Sequence, residues 1–518
     1  MGVIGLVLKN GLGLTRYLPA QKGDTGLLQV RELQRLLQKA ANTEFGKEYR
    51  FNEILKQADI VAAFRQRVPV HSYEDMSRWW QLCLQGESSV TWPGKVAHFA
   101  LSSGTSEGAS KYIPVTRSML AAIQRASIRQ MLSLAKCDLP RSFFEKDIMM
   151  LGGSTSLDYN GIHYAGDLSG ITTGNLPIWF QPFYKPGKRI SANRNWQEKL
   201  DAITEQAHKW DVAAVVGVPS WIQLLMERII SHYKVETIHD VWPNLMVFTH
   251  GGVSFDPYKR SFEKLLGKPL IYLETYLASE GFIAYQAEPG AGGMRMLLRN
   301  RIFYEFIPFN NNNFDSTGNL EKNPEALTWA DAEEGKDYAL IMSTCAGAWR
   351  YLIGDVIRII SKEKQEIRII GRTKQFLSLA GEHLSVENMN KGIELTAAQM
   401  NIHVTEFTVA GVPENSGFAH HWFIGTNDKD TDPHKLTEHL DSTLATLNDD
   451  YRVVRQNTLK RITVTIVSPD RFRQWLKKNG KEGAQIKFPR VLKEAQFRDW
   501  REFLSESADS AGAAGASL

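Results

Sequence analysis

Leu101-Ser102-Ser103-Gly104-Thr105-Ser106-Glu107-Gly108, closed by Lys111, ends a strand-like run that starts at Val96. Glycines and small hydroxyl residues let backbone N–H groups crowd around a phosphate, while Ser and Thr hydroxyls and one lysine add further donors. The stretch points to an enzyme that handles a nucleoside triphosphate. It is not a Walker A loop, because Lys111 is followed by Tyr112-Ile113-Pro114 rather than by Ser or Thr and a helix. Pro114 keeps the chain extended, so a helix can begin only near Thr116. The G-x-G-x-x-G spacing is absent, which disfavours a dinucleotide-binding turn and a kinase glycine loop. Ser/Gly-rich runs are also ordinary loops, so this one needs company elsewhere in the chain.

Composition narrows the setting. At 518 residues the chain is long enough for two to four structural units of about 150 residues each. A hydrophobic content of 43% with 23% charged residues is that of a soluble globular protein. A net charge of +4 is too small to argue for nucleic acid. Cys83, Cys137 and Cys345 are scattered and odd in number, so no disulfide framework or cysteine metal site is implied and a reducing cytoplasm fits. Met1 to Ala20 is interrupted by glycines, Lys9, Asn10 and Arg16, which argues against a signal peptide or membrane span. Leu6 stands where myristoylation after Gly2 wants Ser or Thr. A cytoplasmic protein without membrane or nucleic-acid partners is expected.

Periodicity supports helices over Asp24–Ala41, Tyr73–Leu84 and Thr116–Ala135, with Trp79 and Trp80 as core aromatics. Arg117, Arg125 and Arg129 on the third read best as a solvated face. Apolar β-branched runs at Val212–Val218, Leu245–Thr249 and Leu270–Leu273 alternate with helices, the pattern of an α/β sheet with parallel strands. Ligands on such sheets gather at the carboxyl ends of strands, where the polar loops after 101, 217, 249 and 273 would fall. A dense β region follows over Met294–Ile370. Beyond Gly371-Arg372-Thr373-Lys374 the pattern becomes helix (386–400), strand (407–412), strand (421–425), helix (433–448) and strand (462–467). The expected domains are 1–373 and 374–504, with an unstructured Ser/Ala/Gly-rich tail over 505–518.

Three further motifs keep the loop company. Tyr276-Leu277-Ala278-Ser279-Glu280-Gly281 places a carboxylate after a polar turn, and Glu280 could hold Mg²⁺ together with phosphate oxygens. Arg350-Tyr351-Leu352-Ile353-Gly354-Asp355 puts Asp355 at a glycine turn between strands, where it could accept from both ribose hydroxyls or simply brace the turn. Arg372, at the proposed boundary, could reach ribose or phosphate.

Taken in order, these motifs resemble the superfamily of adenylate-forming enzymes. Most closely they resemble its auxin-responsive promoter (Gretchen Hagen) family of acyl acid amido synthetases, in bacterial form. Val68-Pro69-Val70-His71-Ser72-Tyr73-Glu74-Asp75, Gly381-Glu382-His383, Leu447-Asn448-Asp449-Asp450-Tyr451 and Gly483-Ala484-Gln485-Ile486-Lys487-Phe488-Pro489-Arg490 extend the resemblance over nearly the whole chain. The resemblance implies a large N-terminal α/β domain with mixed sheets and a β-rich part, joined to a small hinged C-terminal α+β domain. It also implies that Ser102, Ser103, Gly104, Thr105 and Ser106 cradle the ATP phosphates, and that Tyr276, Ser279 and Glu280 form the second nucleotide motif with Glu280 as the Mg²⁺ ligand. Asp355 would bind ribose, Arg372 would stand beside it at the hinge, and Lys487 would be the catalytic cation over the α-phosphate.

This sequence departs from the family pattern in three places. The loop has one residue more between Thr105 and Gly108, Arg350 precedes Tyr351 where relatives tend to have Arg after it, and Thr373-Lys374 replaces a frequent Asp at the hinge. The implied activity is ATP-dependent adenylation of a small carboxylic acid and transfer of the acyl group to an amine, an amino acid first of all, by a monomer. A thiol acceptor such as coenzyme A, and a nucleotide-binding protein without turnover, remain as alternatives. Met119, Ile123, Trp221 and Phe248 could line an acid pocket, but core packing is the better reading.

Overall fold

The computed structural model describes residues 25–102, 111–252, 255–310, 312–315, 318–373, 377, 384–414, 417–428, 430–448, 451–452, 455, 459–479 and 488–513. They form two compact units. The first contains the chain up to Val253 with Leu265–Asn313 and Lys322–Ile369; the second contains Ser254–Lys264, Phe314–Glu321 and everything from Ile370.

In the first unit the strands are β1 (His98–Ser102), β2 (Lys111–Val115), β3 (Asp147–Leu151), β4 (Asp158–Tyr159), β5 (Tyr164–Gly166), β6 (Tyr184–Lys185), β7 (Val212–Gly217), β8 (Val247–Gly251), β9 (Ile271–Ala278), β10 (Gly281–Tyr285), β11 (Met294–Met296), β12 (Ile302–Pro308), β13 (Asp337–Thr344), β14 (Tyr351–Ser361) and β15 (Glu366–Arg372), whose end enters the second unit. Eleven of them make one sheet in the order β12-β13-β14-β15-β11-β10-β9-β8-β7-β3-β6. The run from β6 through β3, β7 and β8 to β9 is parallel, as the β-branched runs foretell. The β12–β13–β14 and β9–β10–β11–β15 ladders are antiparallel. Strand β7 is buried on both faces from Val212 to Val215, because the helix Pro219–Tyr233 crosses over the sheet before β8 begins.

Two expectations about the loops change. Strand β9 does not stop at Leu273 but runs on to Ala278, since it gains an antiparallel partner in β10 beyond its parallel pairing with β8. The loop after Leu101 is not at the edge of the large sheet. It joins β1 and β2, an antiparallel hairpin in a separate sheet of order β2-β1-β5-β4 with Ser102 opposite Lys111. The return strand ends at Thr116, whose side chain accepts from Met119 N at 3.1 Å and so caps the helix Arg117–Ser133 where Pro114 allows it to start.

The second unit is a sheet of order β18-β17-β16-β19, built from β16 (Val404–Glu414), β17 (Gly417–Thr426), β18 (Leu459–Val467) and β19 (Val491–Leu492). Helices Val386–Met400 and Pro433–Leu447 pack on one face through Met389, Ile393, Leu440 and Leu444 against Phe407 and Trp422. Helices Pro469–Lys478 and Glu494–Ala513 cover the other face through Trp475 and Trp500 against Phe423. The last helix passes Ser505, into the stretch whose composition suggests no structure; Ala and Ser both tolerate helix. The helix Asp256–Glu263 also belongs to this unit, and Arg260 bonds Asn401.

The core of the first unit holds Trp79 and Trp80 as expected, together with a charge cluster around the buried Glu305 and Arg350. Arg350 grips Glu305 with two hydrogen bonds, Nε to Oε2 at 2.9 Å and Nη2 to Oε1 at 3.1 Å, while Arg65 Nε reaches Oε1 at 2.9 Å. Arg350 stands at φ +42°, a left-handed conformation that costs a non-glycine residue about 1–3 kcal/mol unless its surroundings enforce it. Removing one partner of a buried pair leaves an uncompensated charge and costs about 3–5 kcal/mol. Glu305→Gln is therefore expected to lower the urea-unfolding free energy of the full chain by about that amount. A loss below about 1 kcal/mol would show the cluster to be solvated in solution.

Candidate active site

The Val68–Asp75 motif meets the root of the β1–β2 hairpin. Arg350 Nη1 donates to Val68 O at 2.8 Å, and His71 adds to β14 through its N–H to Arg350 O and its carbonyl to Leu352 N, each at 2.9 Å. Ser72 and Asp75 then cap one another's backbone and start the helix Tyr73–Leu84. Tyr73 projects its hydroxyl to accept from Tyr112 N at 3.0 Å, and Lys111 Nζ lies 4.8 Å from the centre of the Tyr73 ring. The root of the hairpin that carries the loop is thus pinned from one side. Ser103, Gly104, Thr105 and Ser106 lie outside the described residues, as does Lys487; Ser102 ends β1.

Glu280 is not beyond the turn but in it. Ala278 pairs with Gly281, so Ser279 and Glu280 form the two-residue tip of the β9–β10 hairpin. Hairpin tips usually face water, yet Glu280 is only 8% exposed. The helix Arg117–Ser133 backs this hairpin: Gln130 Nε2 donates to Thr275 Oγ1 at 2.6 Å, and Met119 lies beneath Gly281. Among the described residues no three His, Cys, Asp or Glu side chains gather as a metal cluster. A single sheltered carboxylate is nonetheless a donor set that suits Mg²⁺ when nucleotide phosphates supply the other oxygens.

Asp355 is also placed differently from its expected position. It lies inside the continuous strand β14, where Ile353, Gly354 and Asp355 bulge opposite Leu340 and the neighbours Leu352 and Val356 pair with Ile341 and Ala339. Gly354 at φ +87° makes the bulge possible. A second bulge, at Ile283 of β10, faces the step between Tyr276 and Leu277. Tyr276 Oη donates to Asp355 Oδ2 at 2.5 Å, so two of the predicted nucleotide residues meet. Arg372, at the end of β15, belongs to the second unit.

The acid-pocket candidates Met119, Ile123 and Phe248 are buried core, and Trp221 is half-buried with its ring 5.1 Å from that of Trp196. Two positions went unread. Glu305 is the lone charge in the apolar run Ile302–Phe306, a pattern that by itself calls for a buried partner. Lys199 donates to the carbonyls of Gly152 and Gly153 at 3.1 and 3.2 Å beyond the end of β3, and burial pulls its ammonium down to about 8.

This architecture is that of adenylate-forming enzymes. It matches a solved GH3.15 acyl acid amido synthetase at TM-score 0.75 and 16% identity, covering 96% of each chain. It also matches a 2-hydroxyisobutyryl-CoA ligase in its postadenylation state at TM-score 0.58 and 15% identity, covering 92% of this chain and 91% of the other. The GH3 family N-terminal domain matches residues 18–156 and 125–271, the central domain 295–372 and the C-terminal domain 387–496; the chain belongs to the GH3 family. A similar protein is the indole-3-acetic acid-amido synthetase GH3.4 of Arabidopsis thaliana, 22% identical over 449 residues, spanning 74% of this chain and 73% of that one. No helix among the described residues is long and apolar enough to cross a membrane.

His250, near the end of β8, provides a pH test of the large sheet. Burial holds its imidazole down to about 4, below the ordinary 6.5. Its contribution to stability is therefore present above pH 6.5 and lost as pH falls toward 4. Unfolding free energies in urea at pH 4.5 and 7 should show a smaller acid loss in His250→Gln than in the parent. Equal losses in the two proteins would contradict the assignment.

Proposed function

We propose that this protein is an AMP-forming ligase: it adenylates a small carboxylic acid with ATP and passes the acyl group to an amine, in the first instance an amino acid. The observation that carries the reading is the meeting of Tyr276 and Asp355 at 2.5 Å, in a GH3-family chain that shelters Glu280 at the tip of the same β9–β10 hairpin. In the first half-reaction an oxygen of the acid attacks the α-phosphorus and the bond to pyrophosphate breaks. In the second the amine nitrogen attacks the acyl carbon, the bond to AMP breaks, and the nitrogen sheds a proton.

The residues divide this work. The loop from Ser102 to Ser106 supplies backbone and hydroxyl donors to the phosphates. Asp355 takes the ribose, and Lys487 offsets charge at the α-phosphate, where a positive donor acts most in the transition state. Glu280 holds Mg²⁺, which when bound screens the phosphate charges from the incoming carboxylate. Arg372 offers a further cation to ribose or phosphate oxygens.

The test is pyrophosphate release from Mg-ATP across a panel of aryl and alkyl acids. Release should depend on the acid, and amino acids should speed AMP release. Glu280→Ala and Lys487→Ala should each lower turnover by about 10²–10³, the usual loss of one transition-state donor. Acceleration by coenzyme A alone would move the acceptor to a thiol. Nucleotide binding without release for any acid would contradict the ligase.

A further inference from the structure

Tyr276 and Asp355 should not be able to touch in an ordinary sheet. In strand order β10, β11 and β15 lie between β9 and β14. Four strand spacings would hold the two backbones about 19 Å apart in a flat sheet, beyond the combined reach of a tyrosine and an aspartate. Their contact at 2.5 Å means that this part of the sheet curls back on itself, and that the hydroxyl closes onto the carboxylate across the curl. A bulge stands beside each residue, one opposite Tyr276 and one carrying Asp355, and bulges re-aim side chains. Tyr276 is 5% exposed, so its phenol is fixed by packing on every side.

From this geometry we infer that Tyr276 is a positioning residue: it sets the orientation of the Asp355 carboxylate and thereby the preference for a ribonucleotide over a 2′-deoxyribonucleotide. The inference rests on the reading of Asp355 as the ribose ligand. The terminal torsion of an aspartate is broad, so an unrestrained carboxylate samples many orientations. A charge-assisted O–H···O⁻ bond of this length is among the stronger ones, and it leaves each carboxylate oxygen a lone pair for a sugar hydroxyl. A site built to receive a hydroxyl rejects the analogue that lacks it, because a buried polar group is then left unpaired. That rejection is sharp only if the acceptor cannot turn away. Phenylalanine at 276 would keep the ring packing and remove this one hydrogen bond from the carboxylate.

The experiment is calorimetric titration of the full chain with ATP and with 2′-deoxy-ATP, in the presence of Mg²⁺ and without any acid substrate. Wild type should bind ATP at least about tenfold more tightly than 2′-deoxy-ATP, the loss of one hydrogen bond to a charged, half-buried acceptor. Tyr276→Phe should bring that ratio to within about twofold, mainly by weakening ATP, while its thermal melt stays close to wild type. Tyr276→His, which can still donate, should recover part of the ratio, and it also serves if the Phe variant does not fold. Asp355→Ala should abolish the ratio, and adding Tyr276→Phe to it should change nothing further. If Asp355→Ala abolishes the preference but Tyr276→Phe keeps it, Tyr276 is packing only and the inference is overturned while the ribose reading stands. If wild type shows no preference, or Asp355→Ala retains it, the ribose reading fails and the inference goes with it.

Discussion

A carboxylate withdrawn from water in the middle of a strand is tolerable only if cations meet it there, and Glu305 imposes that demand on the first unit. Arg350 meets it at the entrance to β14, in a backbone conformation that an arginine would not otherwise choose. The same guanidinium holds the carbonyl of Val68, and from there the chain adds to β14 through His71, turns at the Ser72–Asp75 cap and presents Tyr73 to the backbone of Tyr112. One buried charge thus fixes the start of the strand that bears Asp355 and, along a short chain of hydrogen bonds, the root of the β1–β2 hairpin. Arg350 lies inside a motif that resembles a nucleotide-binding one, yet its guanidinium turns inward to Glu305.

The large sheet changes character along its length, and the site depends on that change. Its parallel half is straightforward: a central strand, β7, buried on both faces from Val212 to Val215, a crossover helix after it, and Gly251 allowing β8 to end against Thr275 where a β-carbon would lie 2.4 Å from a carbonyl oxygen. At β9 it turns antiparallel, because Ser279 and Glu280 reverse the chain in two residues. From there the sheet curls, and two bulges bring Tyr276 and Asp355 together across the curl. Glu280 is sheltered at the tip of the same hairpin, with the helix Arg117–Ser133 behind it. Tyr276 and Asp355, 79 residues apart in sequence, reach one another through sheet curvature rather than through sequence proximity.

Much of this was legible before any coordinates. Helical spacing and caps are local, so Tyr73–Leu84 and Val386–Met400 read directly from their residues. Tyr276, Glu280 and Asp355 could be singled out because their motifs stand in family order, but not the bond between Tyr276 and Asp355. What escaped was non-local. Nothing near Ser102 says that β1 and β2 leave the large sheet for one of their own. Gly354 suggested a turn because a glycine of positive φ serves a bulge equally well, and only the pairing of β14 with β13 decides between them. The helix Asp256–Glu263 lies between strands of the first unit in sequence and packs in the second, which no local pattern could disclose.

The central claim is that the acid is activated at the α-phosphorus of ATP. The most direct measurement follows an oxygen: the acid is supplied with ¹⁸O in its carboxylate, an amino acid is added, and the nucleotide product is analysed by mass spectrometry. Attack of the carboxylate on the α-phosphorus, followed by cleavage on the acyl side, must leave one ¹⁸O in AMP. That is the predicted result. Unlabelled AMP, or label in inorganic phosphate with ADP as the nucleotide product, would contradict the account.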